Sequence, residues 1–199
     1  MAEESEERCI GSALWIIDMV STWEFPGAEK LLRAAVRIAP RVARLKARHV
    51  DLGLPVVYVN DNHGRWQSDF PAQVAASLEA GAQAAAITEA LMPTTTDYFV
   101  LKPHWSAFYQ TPAELLQARL QAERIVLAGV ASDQCILSTA LDAHMRGLKV
   151  WIPRDCVAAQ SSGRHIAMLR YFHGVLGVDT REGESLPLEE WSRSPTRGE

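Results

Sequence analysis

Cysteine is scarce in this chain: Cys9, Cys135 and Cys156 are the only three among 199 residues. So small and odd a set builds no disulfide framework, and free thiols in a reducing compartment are the expectation. Long apolar runs are missing as well. No stretch approaches the roughly 20 apolar residues of a membrane span, and the run from Ala13 to Val20 is interrupted by Asp18. The sequence opens on Glu3-Glu4-Ser5-Glu6-Glu7, where a secretory leader would be basic. It reads as a solvated tail, and a cytoplasmic location is expected. There is no long basic block, and 20 basic against 24 acidic residues leave a net charge of −4. Neither nucleic acid nor a membrane surface is therefore expected as a partner. Neither G-x-G-x-x-G nor a P-loop occurs, so Gly129 belongs to no phosphate-binding fingerprint.

What the chain does have is ordinary globular material, 48% hydrophobic and 22% charged. Its length favours one domain with a substantial core. Leu14–Ile17, Val56–Val59, Tyr98–Leu101, Ile125–Ala128 and Leu148–Ile152 are short apolar runs that read as buried strands, and Gly174–Val178 as a weaker sixth. Between them lie helical patterns. Glu29–Val50 carries Leu31, Leu32, Ala35, Val36, Val42 and Leu45 on one side, with Pro40 expected to kink or divide it. Pro71–Ile87 is Ala-rich and partly helical, and a helix starts at Thr111-Pro112-Ala113-Glu114. Asp133–Arg146 is closed by Gly147, and Ser161–Tyr171 follows. Strands alternating with helices imply a three-layer α/β/α, Rossmann-like single domain with a mainly parallel sheet of about six strands. The domain is expected over 10–182, with 1–9 and 183–199 as peripheral tails.

In open α/β sheets, ligands sit beyond the carboxyl ends of the strands. Three chemically capable side chains fall there: Asp18 after the first strand, Lys102 after the third, and Cys135 in the turn after the fourth, where a helix begins. A helix N-terminus and a nearby cation both favour a thiolate, the reactive form of cysteine. A carboxylate can take the thiol proton and return it to a leaving amine, and turn amides can hold an oxyanion. Each residue also has an ordinary structural reading: Cys135 as a small core residue, Asp18 as a turn cap, Lys102 as a surface lysine.

Leu14-Trp15-Ile16-Ile17-Asp18, Val100-Leu101-Lys102 and Gly129-Val130-Ala131-Ser132-Asp133-Gln134-Cys135 resemble the three signature blocks of the isochorismatase-like cysteine hydrolases. That family includes nicotinamidases, N-carbamoylsarcosine amidase, ureidoacrylate hydrolase and isochorismatase. The resemblance runs from about Ala13 to Val178. It implies an Asp–Lys–Cys triad at Asp18, Lys102 and Cys135, a cis peptide between Val130 and Ala131, and an oxyanion hole from the amides of Ala131 and Cys135. It also implies a homo-oligomer. Val20 departs from the Asp-x-Gln of many members, and Trp23 stands where they often have Phe; both make the site more apolar. Asp61-Asn62-His63 begins like the metal-binding Asp-x-His of nicotinamidases, but Asp69 occupies the next expected histidine position and no His lies between His63 and His104. No metal or other cofactor is therefore expected, with Asp61 and His63 as the weak candidates.

Trp23, Asp61, Trp66, Trp105, Phe108 and Val130 are the expected pocket residues, with Trp66 and Trp105 serving equally well as interface anchors. Phe108 lies in a Ser106-Ala107-Phe108 block that the resemblance places near the lysine. Cys156 reads as buried and inert, Cys9 as non-catalytic, and His144 and His165 as structural. The reading is hydrolysis of a C–N bond in a small amide, ureido or carbamoyl compound through a Cys-acyl intermediate. Vinyl-ether hydrolysis of the isochorismatase type needs only the Asp18 acid and is the alternative. A non-catalytic binding protein on the same fold is the other; the retained triad argues against it.

Overall fold

Consecutive residues of the first strand bury on opposite sides: Leu14 and Ile16 join one apolar cluster, Ala13, Trp15 and Ile17 the other. A strand with no polar face needs cover above and below, and the computed structural model supplies both. It describes residues 11–67, 69–185 and 187–192. Strand β1 (Ser12–Ile17) leads into helix α1 (Ala28–Asp51), then β2 (Val56–Asp61), α2 (Phe70–Glu79), α3 (Ala82–Ala90) and β3 (Tyr98–Lys102). There follow α4 (Ala113–Arg119), β4 (Arg124–Val130), α5 (Cys135–Met145), β5 (Lys149–Trp151), β6 (Val157–Ala158), α6 (Ser162–Gly174) and α7 (Leu188–Ser192). The sheet runs β3-β2-β1-β4-β5, with β6 pairing β4, and every pairing is parallel. The expected three-layer α/β architecture is thus present. The chain leaves β1 towards β2 and β3, then returns to β4 on the other side of β1. That reversal is the switch point at which such sheets bind ligands.

Two local expectations change, and the helical reading of the Ala-rich segment gains detail. Helix α1 runs unbroken through Pro40, whose ring is exposed and faces away from the sheet. The Ala-rich segment forms two helices: Asp69 caps α2 by accepting the Ala72 amide, and Gly81, at φ 103°, separates it from α3. The sixth strand is not at Gly174–Val178. Helix α6 continues to Gly174, and only Asp179 makes an isolated bridge, to Trp151. The sixth strand is instead Val157–Ala158, two residues held against Gly129 and Val130. A pair so short leaves no periodic signal. Beyond Glu182, α7 buries Leu188, sets Trp191 against Trp151 and presents the Trp191 carbonyl to Arg124, so this part of the segment expected to be peripheral packs on the body.

No helix among the described residues is long and apolar enough to cross a membrane. Cys9 lies outside the described residues. Cys156 is fully buried.

Candidate active site

Register brings the three strand ends together. Ile17 pairs with Val59 on one side and with Gly129 on the other, and Asp61 pairs with Lys102. Asp18 follows immediately, at φ 51°, a left-handed conformation that Asp tolerates better than most residues. Its amide donates to the Val59 carbonyl, and its Oδ1 accepts the Asp61 amide at 2.8 Å. Both its backbone and its carboxylate are therefore fixed by β2.

Lys102 is fully buried, so its ammonium requires partners. Nζ lies 3.0 Å from Asp18 Oδ2, 3.4 Å from Cys135 Sγ and 3.5 Å from Asp61 Oδ2. Burial alone would lower its pKa; the carboxylates, Asp18 first and Asp61 with it, outweigh burial and hold the lysine above its ordinary value. Asp61, expected at the pocket rim, is thus also a second carboxylate on the lysine. One cation between two carboxylates leaves little electrostatic room for a third anion. Burial, and then the charge of Asp18, push the Cys135 thiol well above its ordinary range, and Lys102 opposes this only in part. Cys135 thus heads α5 beside a cation, the two features that favour a thiolate, while burial and Asp18 favour the protonated form.

The loop before α5 is shaped by backbone. Val130–Ala131 is a cis peptide, and Gly129 has φ 114°. A Cβ at Gly129 would lie 2.1 Å from the Ile17 carbonyl oxygen, so only glycine lets β4 pass this close to β1 at the switch point. The Gly129 amide donates to Cys156 and the Ser132 amide to Ala158, which ties the loop to β6. The Ala131 carbonyl accepts from Gln134 and Ile136. The amides of Ala131 and Cys135 have no backbone acceptor among the described residues.

A pocket of about 220 Å³ opens above Asp18 and Cys135. Of the expected lining, Trp23, Asp61, Trp105 and Val130 are there, with His63 beside them. Trp66 and Phe108 are not. Trp66 is 78% exposed on its loop, and Phe108 is buried against Trp15 at a centroid distance of 5.0 Å, in the core layer opposite Trp23 and Leu31. Sequence reading missed Phe25, Leu31, Asn60 and Gln134. Phe25 and Leu31 have the composition of any core residue, and nothing distinguishes them before the chain folds. Asn60 is different. A polar residue inside the apolar run of β2 is a legible signal, and its side chain donates to the Val20 carbonyl, tying the loop after β1 to β2. Asp61 and His63 are neighbours, with the His63 amide donating to Asp61 Oδ1 at 2.7 Å. No cluster of three or more His, Cys, Asp or Glu fit to hold a metal occurs among the described residues. His165 accepts or donates a hydrogen bond at Ser132 Oγ, 3.2 Å away, and has the structural place expected of it.

The sequence matches the isochorismatase domain family over residues 12–181. The isochorismatase family protein YaaI of Bacillus subtilis is 34% identical over 175 residues, which cover 87% of this chain and 95% of that protein. Maleamate amidohydrolase of Pseudomonas putida is 31% identical over 187 residues, covering 89% and 84%. The fold is shared with solved structures. An isochorismatase family protein from Desulfovibrio vulgaris aligns over 92% of this chain and 99% of its own, with a TM-score of 0.71 at 24% identity. N-carbamoylsarcosine amidase from Thermoplasma acidophilum aligns over 88% and 98%, with a TM-score of 0.65 at 24% identity. With Asp, Lys and Cys gathered at one strand edge and this family matched over most of its length, the chain belongs to the isochorismatase-like cysteine hydrolases.

Proposed function

We propose that the protein hydrolyses a C–N bond of a small amide, ureido or carbamoyl compound, with Cys135 as nucleophile, Asp18 as proton shuttle and Lys102 as the fixed charge between them. The observation that carries this is the single buried ammonium within 3.0 Å of Asp18 and 3.4 Å of Cys135 at the base of a pocket. Asp18 takes the thiol proton as Sγ attacks the carbonyl carbon. The thiolate character develops only as the bond forms, which suits a site where a free thiolate would be a third anion. The tetrahedral oxyanion accepts from the amides of Ala131 and Cys135, which have no backbone acceptor among the described residues. Asp18 returns the proton to the leaving nitrogen, amine or ammonia departs, and a thioester remains on Cys135. Water then gives its proton to Asp18, attacks the thioester, and releases the acid with the thiol restored.

The pocket limits the substrate. Its volume admits only a small acyl group, and Trp23, Phe25, Leu31 and Val130 offer it apolar walls. No arginine lines it among the described residues, and Lys102 is engaged by two carboxylates. This lining favours an uncharged acyl group. The similarity to maleamate amidohydrolase supports amide chemistry, although maleamate carries a carboxylate for which this pocket has no matching cation. A panel of small neutral and anionic amides, read by ammonia release, tests the proposal. Turnover of a neutral amide, lost in Cys135→Ala and accompanied by an acyl adduct on Cys135 in the mass spectrum, is the expected result. Full turnover by Cys135→Ala would overturn the covalent mechanism, and a panel that releases no ammonia, with turnover of a vinyl ether instead, would favour acid-driven ether hydrolysis by Asp18.

A further inference from the structure

A second concavity, of about 520 Å³, lies between the first half of α1 and the segment from Arg154 to the start of α6. It shares no lining residue with the catalytic pocket. Its character is opposite. Lys30, Arg33, Arg37, Arg41 and Arg154 line it, and Asp155 is the one carboxylate among the lining residues. Five cations around one groove are a strong concentration for a chain whose net charge is −4.

The charges are only partly neutralised. Arg33 pairs with Glu29 and Arg154 with Glu182. Asp155 turns Oδ1 to the Gly183 amide at 2.8 Å and meets Arg41 only at 3.9 Å. Lys30 and Arg37 have no carboxylate within ion-pair reach among the described residues. On α1 these side chains recur at intervals of three and four residues, one for each turn of ~5.4 Å. The facing wall is the first turn of α6, a helix of 13 residues. Ser161 caps it by accepting the Arg164 amide, and the amides of Ser162 and Gly163 have no acceptor within the helix.

We propose that this groove binds a small molecule carrying two or more linked phosphates. A row of guanidinium groups one turn apart meets successive phosphates of such a chain, and the α6 amides receive one end of it. A single carboxylate would meet one or two of these cations and leave the rest unpaired. The lining of the groove includes Val157 and Ala158, the strand β6 that pairs with Gly129 and Val130 and holds the Ser132 amide, so the bound anion sits against the strand that anchors the loop before Cys135.

Calorimetric titration of the full chain with inorganic triphosphate tests this without any knowledge of the substrate. Saturable one-site binding is expected, weakening as salt is added. The Lys30→Ala/Arg37→Ala double variant should lose at least ~10-fold in affinity, about 1.4 kcal/mol, and Arg154→Ala should also bind more weakly. Arg119→Ala, on the exposed face of α4, should bind as the parent does. These are surface positions, and an unchanged melting temperature without ligand confirms that the variants fold. Absence of saturable binding, or equal affinity in the double variant and Arg119→Ala, overturns the proposal. So does triphosphate that competes with a confirmed substrate, which would place it in the catalytic pocket. Tighter binding of a DNA duplex, or a double variant that dissociates an oligomer, would assign the groove to nucleic acid or to a second copy instead.

Discussion

At the residue scale, the central fact is the protonation of Cys135. Burial and Asp18 hold its thiol above the ordinary range, so the thiolate forms at a pH higher than that of a free cysteine. Iodoacetamide should therefore label Cys135 slowly at neutral pH, with a rate that still climbs through pH ~9 rather than reaching a plateau. Peptide mass mapping should find the label there and not on Cys156, which is fully buried and whose thiol is also pushed up, first by burial and then by Asp155. Lys102→Met removes the one neighbour that lowers the Cys135 pKa, and labelling should slow further. A plateau below pH ~7 would show a resting thiolate and refute this description. On the proposed mechanism Asp18→Asn removes the proton shuttle and should cost ~10²- to 10⁴-fold in kcat with the fold retained. Cys135→Ala should leave no measurable amide hydrolysis.

At the scale of elements, two contacts decide how the strand ends meet. Where β4 passes β1, Gly129→Ala would drive a Cβ into the Ile17 carbonyl and require a side chain at φ 114°. A loss of at least ~3 kcal/mol in urea unfolding is expected, together with loss of activity, since the catalytic loop begins there. On the other face, Lys46 of α1 is buried and reaches Asp97 at 2.8 Å, the Tyr58 hydroxyl at 2.9 Å and the Met92 carbonyl at 2.8 Å. One ammonium thus fastens α1 to β2 and to the turn before β3, the strand that carries Lys102. Asp97→Ala would strand this buried charge, and a destabilisation of ~3–5 kcal/mol is expected. Denaturant midpoints of the two variants check both statements.

For the whole molecule, stability should depend on acid through His49. The ring is fully buried on α1, with Nδ1 2.8 Å from the Leu45 carbonyl and Nε2 without a partner among the described residues. Burial lowers its pKa from 6.5 to about 4, against the Leu45 hydrogen bond and with help from Arg48. The folded state therefore favours the neutral ring, while the unfolded chain takes up a proton first as pH falls. The contribution is fully present above pH ~6.5 and is lost progressively down to pH ~4, roughly 3 kcal/mol in all. Urea unfolding at a series of pH values should show this slope, and His49→Gln should lack it. Association is a second property at this scale. Phe99, Trp105 and Tyr109 are each about half exposed, on or just after the edge strand β3, and Trp105 also lines the catalytic pocket. A homo-oligomer burying this edge is expected; a monomer by light scattering at micromolar concentration would count against it. Catalysis is expected to survive chelation, since Asp61 is engaged by Lys102 and only His63 stands beside it.

The sequence alone determined the layers, the direction of the sheet and the gathering of Asp18, Lys102 and Cys135 at one edge, because each rests on local pattern. Fully apolar strands demand cover on both faces, and residues that follow such strands lie at one edge whatever the packing. Tertiary structure decided the rest. The sixth strand is two residues long and exists only because β4 offers Gly129 and Val130 to pair with. Phe108 left the pocket because its segment packs in the layer opposite Trp23, a choice that an aromatic residue in a loop does not announce. The state of the thiol followed neither from the helix start nor from the lysine, both visible in the sequence. It depends first on how deeply the fold buries the sulfur and then on Asp18 beside it. Asp61 likewise becomes a second carboxylate on the lysine through the register of β2 against β3, which no single segment encodes.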